Sequence, residues 1–255
     1  MPSVHDIYEY LAQKAPVERK LDFDNVGHLV GRGNQEVHKV LCALDITDEV
    51  IEEATALHSD LIVSHHPLFF SLKSVTDGTW TGSRILTLAE NHIAAICMHT
   101  NLDAAQGGVN DALLAAVGGY YTGELNPETC IGRVGELSET VDLSAFLGIV
   151  KSALRSNGLR YHDAGRPVQK IAVCGGSGGS EIALAHSAGC DTYVTADIKY
   201  DQFLEAKHLG MNLIDADHFC TENVVVPILC GWIREAAPSV DVLISKCHRQ
   251  TAQFY

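Results

Sequence analysis

Imidazoles and carboxylates recur at the ends of apolar runs in this chain. Ser64-His-His-Pro67 follows Leu61-Ile-Val63, and His99-Thr-Asn-Leu-Asp103 follows the run from Ile93 to Met98. In Leu213-Ile-Asp-Ala-Asp-His-Phe-Cys-Thr-Glu222 an apolar strand leads through polar residues into a helix. His218 and Glu222 stand four apart, so they share a helix face and point the same way. A metal ion accepts that imidazole–carboxylate pair but needs more ligands than two. Adjacent residues in a strand face opposite sides. His65 and His66 can therefore reach two neighbouring ions only from beyond the strand end, before Pro67. Taken alone they are equally a pair of surface histidines in a turn. With His99, Asp103, His218 and Glu222 at matching strand ends, metal binding is the better reading. Asp103 competes with a turn-forming role, but Asn110 is the better cap for the following helix and leaves Asp103 available. His99 can be a ligand, a donor that orients Asp103, or a core histidine, and the orienting role is favoured.

Other polar motifs carry less. Gly175-Gly-Ser-Gly-Gly-Ser180 joins a strand to a helix, where backbone N–H groups can hold an anion. No Gly-Lys-Ser/Thr follows and the spacing is not a dinucleotide fingerprint, so a tight turn that needs glycine is the stronger reading. The remaining histidines show no ligand spacing, and no nucleophile elbow or Cys/His dyad stands out.

Positioning these residues requires alternating strands and helices. Ser3 caps a first helix with Val4, Ile7, Tyr8 and Leu11 on one face and Pro16 beyond its end. Lys39–Leu44 reads as a buried strand, Thr47 caps a helix with Val50, Ile51, Ala54 and Leu57 inward, and Leu61–Val63 is a second strand. A helix over 83–91 and a strand over 93–98 follow, then a helix that stops at Gly118-Gly119. Residues 120–135, rich in Gly and Thr, read as a domain crossing, and Asp142 opens another helix. The pattern then recurs: Lys170-Ile-Ala-Val-Cys174 echoes Lys39-Val-Leu-Cys42, and Asp191-Thr-Tyr-Val-Thr-Ala-Asp197 echoes Asp60-Leu-Ile-Val-Ser-His-His66. The expected class is α/β with largely parallel pairing, and ligands gather at the carboxyl ends of such strands. The expected lobes are 1–125 with 220–255, and 126–219, with His218 and Glu222 at the junction. Pro227 is expected to kink or break the last helix.

Composition bounds the function. The 255 residues carry 18 Lys+Arg against 32 Asp+Glu, a net charge of −14. That balance disfavours a nucleic-acid partner and is compatible with bound cations. Eight scattered cysteines without a C-x-x-C pair suit free thiols in a reducing cytosol. No apolar run approaches the ~20 residues of a membrane span, and the start lacks the features of a secretory signal. A cytoplasmic setting is expected.

The chain resembles the dinuclear metal-centre proteins named for GTP cyclohydrolase I type 2 and for a factor that interacts with the yeast protein NGG-one. The motifs that carry the resemblance are Asp24-Asn-Val-Gly27, Ser64-His-His-Pro67, His99-Thr-Asn-Leu-Asp103, Gly107-Gly-Val-Asn-Asp111, Cys174-Gly-Gly-Ser-Gly178, Ala196-Asp-Ile-Lys-Tyr200 and His218-x-x-x-Glu222. The resemblance implies a duplicated, intertwined α/β fold with a metal site in the cleft between the lobes. It implies two divalent ions (Zn, Fe, Mn, Co or Ni) on His65, His66, Asp103, His218 and Glu222. It also implies a homohexamer, a ring built from trimers. The chain is similar to the short form, without an inserted domain. Two positions depart from the family pattern: Asp217 stands where glycine is usual, and Asp201 where histidine is usual. An extra carboxylate there can tune metal choice, bind a third cation, or face solvent. The function expected is metal-dependent hydrolysis of a small substrate, with a nucleotide or another phosphorylated compound among the candidates. The alternatives are a metal-storing or regulatory assembly without turnover and a protein scaffold.

Overall fold

A computed structural model describes residues 1–255. The first stretch of chain contains α1 (Val4–Lys14), β1 (Gly27–Val30), β2 (Lys39–Ala43), α2 (Asp48–Ala56), β3 (Leu61–Ser64), α3 (Trp80–Glu90), β4 (Ala94–Cys97) and the short α4 (Thr100–Ala104). Next come α5 (Val109–Ala116), β5 (Tyr120–Glu124), β6 (Arg133–Val141), α6 (Leu143–Ala153), β7 (Arg160–His162), β8 (Val168–Val173), α7 (Ile182–Ser187), β9 (Thr192–Thr195), α8 (Tyr200–Leu209), β10 (Asn212–Asp215) and α9 (His218–Glu222). The chain closes with α10 (Val226–Ala236) and β11 (Asp241–Ile244). No helix is long and apolar enough to cross a membrane.

Two compact units result: Met1–Gln106 with Val226–Arg249, and Gly107–Val225 with Gln250–Tyr255. The first division falls earlier than the expected crossing at 120–135, because Leu113, Leu114 and Val117 of the α5 region pack into the core of the second unit. The expected crossing is itself structured: β5 and β6 pair antiparallel there. Its Gly and Thr content hid two strands that lack a clean alternation.

The first unit holds a five-stranded sheet in the order β1-β4-β3-β2-β11. β11, β2, β3 and β4 run parallel, and β1 closes the edge antiparallel. Every residue of β3 and β4 is buried. This is why those strands read as continuous apolar runs, as expected for a parallel sheet covered on both faces. The second unit holds a six-stranded sheet in the order β5-β6-β8-β9-β10-β7, with β8, β9 and β10 parallel at its centre.

The duplication extends to individual hydrogen bonds. In the first unit Asp60 accepts from His38 N and Lys39 N (2.7 and 3.0 Å), and the Lys39 ammonium donates to Leu57 O (2.9 Å). In the second, Asp191 accepts from Gln169 N and Lys170 N (2.9 and 2.8 Å), and the Lys170 ammonium donates to Ala188 O (2.6 Å). Strands β3 and β9 are therefore equivalent, as are β4 and β10.

Helix starts follow local chemistry. Ser3 and Asp6 form the capping box of α1, and Thr47 caps α2. Two details differ from expectation. The third helix starts at Trp80, capped by Thr79, and not at residue 83. Gly108, not Asn110, stands at the cap of α5. The expected break at Pro227 is present: α9 ends at Glu222 and α10 begins only at Val226, with Pro227 in its first turn, where a proline lacks only an N–H that needs no helical partner.

Glu53 on α2 fastens the segment after β11. It accepts from Ser245 Oγ (2.5 Å), Lys246 N (3.0 Å) and Cys247 N (3.2 Å). Burial opposes the charge, but these hydrogen bonds outweigh it and lower the Glu53 pKa. A folded-state pKa below the unfolded one gives stability that is present above the unfolded value and lost as pH falls through the folded one. Acidification through the glutamate range is expected to release residues 245–247 before the unit unfolds. Amide exchange of Lys246 and Cys247 checks this. Protection that survives acidification would contradict the clamp, and Glu53→Gln should show weak protection at every pH.

Candidate metal centre

In the first unit, parallel pairing brings the carboxyl ends of β3 and β4 side by side. His65 and His66 leave the first strand and His99 the second. The three rings lie with centroids 5.0, 5.1 and 5.6 Å apart. One ligand atom from each falls within 4.8 Å of the others. Asp103 lies on α4, buried, with Oδ1 3.6 Å from His65 Nε2.

Each ring is oriented through Nδ1. His65 Nδ1 faces Met98 O at 2.9 Å, His66 Nδ1 faces Asp45 Oδ1 at 2.7 Å, and His99 Nδ1 faces Asp24 Oδ1 at 2.8 Å. A carbonyl or carboxylate oxygen only accepts, so Nδ1 carries the proton and the lone pair of the neutral imidazole lies on Nε2. An oxygen behind Nδ1 is the usual support of a metal-binding histidine. Burial opposes the charge on Asp24, but hydrogen bonds from His99 and Thr100 outweigh it and hold its carboxyl well below the usual range. Asp45 is held low in the same way by His248 and His66. Both therefore stay charged acceptors through ordinary pH.

The second unit repeats the device. His218 and Glu222 lie on α9, one helical turn apart. His218 Nδ1 faces Asp197 Oδ2 at 2.7 Å, and Nε2 lies 3.0 Å from Glu222 Oε2. Burial disfavours the imidazolium, but Glu222 and Asp197 together raise the His218 pKa to about 9. In the metal-free protein a proton thus sits between His218 and Glu222, and a metal taking that place would displace it.

The resembling motifs have structural duties that spacing did not show. Asp24 accepts from His99, from Thr100 N (3.0 Å) and from Thr100 Oγ1. His99 is thus oriented by Asp24; the expected link from His99 to Asp103 is absent, because Asp24 occupies Nδ1. Asn25 Nδ2 donates to Phe69 O (2.8 Å), tying two loops beside the histidines together. Asn110 Oδ1 receives Gly175 N (2.9 Å). In the glycine loop, Gly176 N donates to Thr221 Oγ1 (3.0 Å) and Gly178 N to Thr195 Oγ1 (3.1 Å). These N–H groups are spent within the chain, which favours the tight-turn reading over anion binding. Gly176 has φ +64, and a Cβ there would overlap Glu222 Oε1 and lie 3.1 Å from His218 Nε2. The glycine leaves room for the two donors.

Both departures from the family pattern are explained locally. Asp217 has φ +75, where glycine is at ease. Its carboxylate caps α9 by accepting from Cys220 N (3.1 Å). Asp201 is exposed in the first turn of α8, where the helix dipole favours an acid.

The donor set therefore fits a borderline divalent cation. It offers neutral imidazole Nε2 atoms and carboxylate oxygens, with hydrogen-bond support behind each ring.

Comparison with known proteins finds relatives over nearly the whole chain. A family model described as Duf34/NIF3 (NGG1p interacting factor 3) matches residues 2–251. A Clostridium perfringens protein named GTP cyclohydrolase 1 type 2 homolog is 35% identical over 260 residues, covering 98% of this chain and 99% of its own. A Clostridium acetobutylicum protein of the same name is 34% identical, with 95% of each chain covered. The crystal structure of a Bacillus cereus protein related to NIF3 superposes with a TM-score of 0.94 at 25% identity, covering 100% of this chain and 99% of that one.

Proposed function

The chain belongs to the Duf34/NIF3 family, and on that footing we propose that His65, His66, Asp103, His218 and Glu222 together hold two divalent metal ions that serve hydrolysis of a small molecule. The observation that supports this reading most is the common orientation of the imidazoles. His65, His66 and His218 each rest Nδ1 on an accepting oxygen, which puts the binding lone pair of the neutral ring on Nε2. Divalent ions held there would lower the pKa of water and polarise a phosphoryl or carbonyl centre. The chain's own part is to orient the donors through Asp45, Asp197 and the Met98 carbonyl. Asp24 holds His99 next to them, where it can bind or orient a substrate oxygen. The relatives' names point to a nucleotide such as GTP as the first substrate to try. A homohexamer and a cytoplasmic setting belong to the same reading.

Untagged protein purified without added metal is expected to contain about two ions per chain, by ligand-cluster logic. Loaded protein should turn over at least one member of a nucleotide and phosphoester panel, and the Glu222→Ala variant should not. Metal retention without turnover across the panel would instead support a metal-storing or regulatory assembly. Light scattering that gives a monomer mass with metal present would exclude the hexamer.

A further inference from the structure

The amino-terminal ends of β3 and β4 border an open surface pocket. It has a volume of about 600 Å³ and is lined by Arg32, Gln35, Thr55, His58, Ser59, Asp60, Asn91, His92 and Ile93. Ser59–Asp60 and His92–Ile93 lead into β3 and β4, whose other ends deliver His65, His66 and His99. The volume is that of a small-molecule pocket.

Its two histidines occupy positions where the duplicated second unit has glycine. α2 and α3 both end in a left-handed residue, His58 at φ +53 and His92 at φ +55. The following amides close the turns, Ser59 N to Ala54 O (2.9 Å) and Ile93 N to Leu88 O (2.9 Å). The duplicated second unit makes the same two turns after α7 and α8. There Cys190 N reaches Ala185 O (3.1 Å) and Met211 N reaches Ala206 O (3.1 Å). In those turns the left-handed residues are Gly189 and Gly210, at φ +77 and +65. Glycine is the residue a left-handed helix end favours, and a side chain there is held under strain. The second unit is thus an internal control: its two equivalent turns carry glycine, and the first unit carries imidazole at both positions, beside one pocket.

The cavity's other groups indicate what would bind. Arg32 is exposed and presents a planar fork suited to phosphate oxygens. The one acid, Asp60, is already engaged by the amides of His38 and Lys39. Gln35 Nε2 bonds Asp60 O (3.1 Å) and His92 O (2.6 Å), bracing the starts of the two strands. Ser59 is 5% exposed, and its hydroxyl oxygen has no hydrogen-bond partner. The carbonyl ends of α2 and α3 point toward this end of the strands and disfavour a bare anion. They suit a ligand with hydroxyl donors as well as a charged group.

We propose that this cavity binds a hydroxylated small molecule carrying a phosphate group, with Arg32, His58 and His92 on the phosphate and Ser59, Thr55 and Asn91 toward the hydroxyls. The site is separate from the metal donors and does not depend on the hydrolase reading.

The test uses the full chain stripped of metal with a chelator, so that no ion can recruit phosphate. Ribose 5-phosphate is titrated calorimetrically, with ribose and inorganic phosphate as separate arms. Ribose 5-phosphate should bind more tightly than either part alone. His58→Gly/His92→Gly should lose at least tenfold in affinity while keeping or raising the thermal midpoint, since glycine relieves both left-handed turns. Arg32→Gln should weaken binding likewise, and His65→Ala should leave it unchanged. Failure of wild-type protein to bind ribose 5-phosphate, or undiminished binding by the double glycine variant, would overturn the proposal.

Discussion

Asp111→Ala is expected to cost the second unit about 3 kcal/mol of folding stability, the scale for leaving a buried charge without its partner. Arg133 is 3% exposed at the start of β6. Its Nε and one terminal nitrogen donate to the two oxygens of Asp111 at 2.9 and 3.0 Å. Its other terminal nitrogen donates to the carbonyls of Cys130 and Gly132 at 2.8 and 2.9 Å. Cys130 and Gly132 both have positive φ, +59 and +77, so Arg133 holds a strained turn as well as a charge. Asp111 in turn accepts from Gly107 N (2.7 Å) just ahead of α5. A two-pronged charge-assisted pair is strong, but most of the expected loss comes from stranding the guanidinium. Replacing both partners, as in Asp111→Leu/Arg133→Met, should therefore cost less than Asp111→Ala alone. Urea unfolding followed by circular dichroism measures both. A loss below about 1 kcal/mol for Asp111→Ala would show that the pair is not an anchor.

Glu222→Ala is expected to lower metal content toward none per chain, whereas His65→Ala should leave about one ion. Under the proposed assignment five side chains are too few to give two ions separate sets of four ligands. A carboxylate has two oxygens and can bridge, whereas a neutral imidazole offers one lone pair to one ion. Loss of a bridge disturbs both ions, and loss of one histidine mainly weakens one. Asp103→Ala should behave like Glu222→Ala if it also bridges. Gly176→Ala should lower metal content without removing any donor atom, because the added Cβ overlaps Glu222 Oε1. Hydrolase activity, where present, should be lost in the Glu222, Asp103 and His65 variants. Metal-to-protein ratio and circular dichroism are read together, so that a misfolded variant is not taken for a metal-free one. Full two-ion occupancy in both carboxylate variants would show that neither bridges.

Much of this molecule was legible in its sequence because local rules governed it. The buried parallel strands β3 and β4 read as near-continuous apolar runs because helices and loops cover both faces. Ser3 and Thr47 marked their helices because a hydroxyl at that position satisfies an amide of the first turn. The echo of Asp60 in Asp191 pointed to duplication because each carboxylate performs the same local task, accepting two amides at the start of a strand pair. Short β1 and β7 were not legible, nor were β5 and β6. All four pair antiparallel at or toward sheet edges, where sequence patterning is weak. Asn110 looked like a cap from its type and position, yet its oxygen is used by Gly175, 65 residues away.

The sequence by itself determined which donors this protein has and that they stand at strand ends, since residue type and periodicity carry that information. Only the tertiary structure decided how each donor is aimed. The oxygens behind His65, His66, His99 and His218 come from Met98, Asp45, Asp24 and Asp197, between 21 and 75 residues away. No local spacing encodes such a partner. It follows from sheet register and loop packing, which fix the proton on Nδ1 and so leave Nε2 as the atom that can bind.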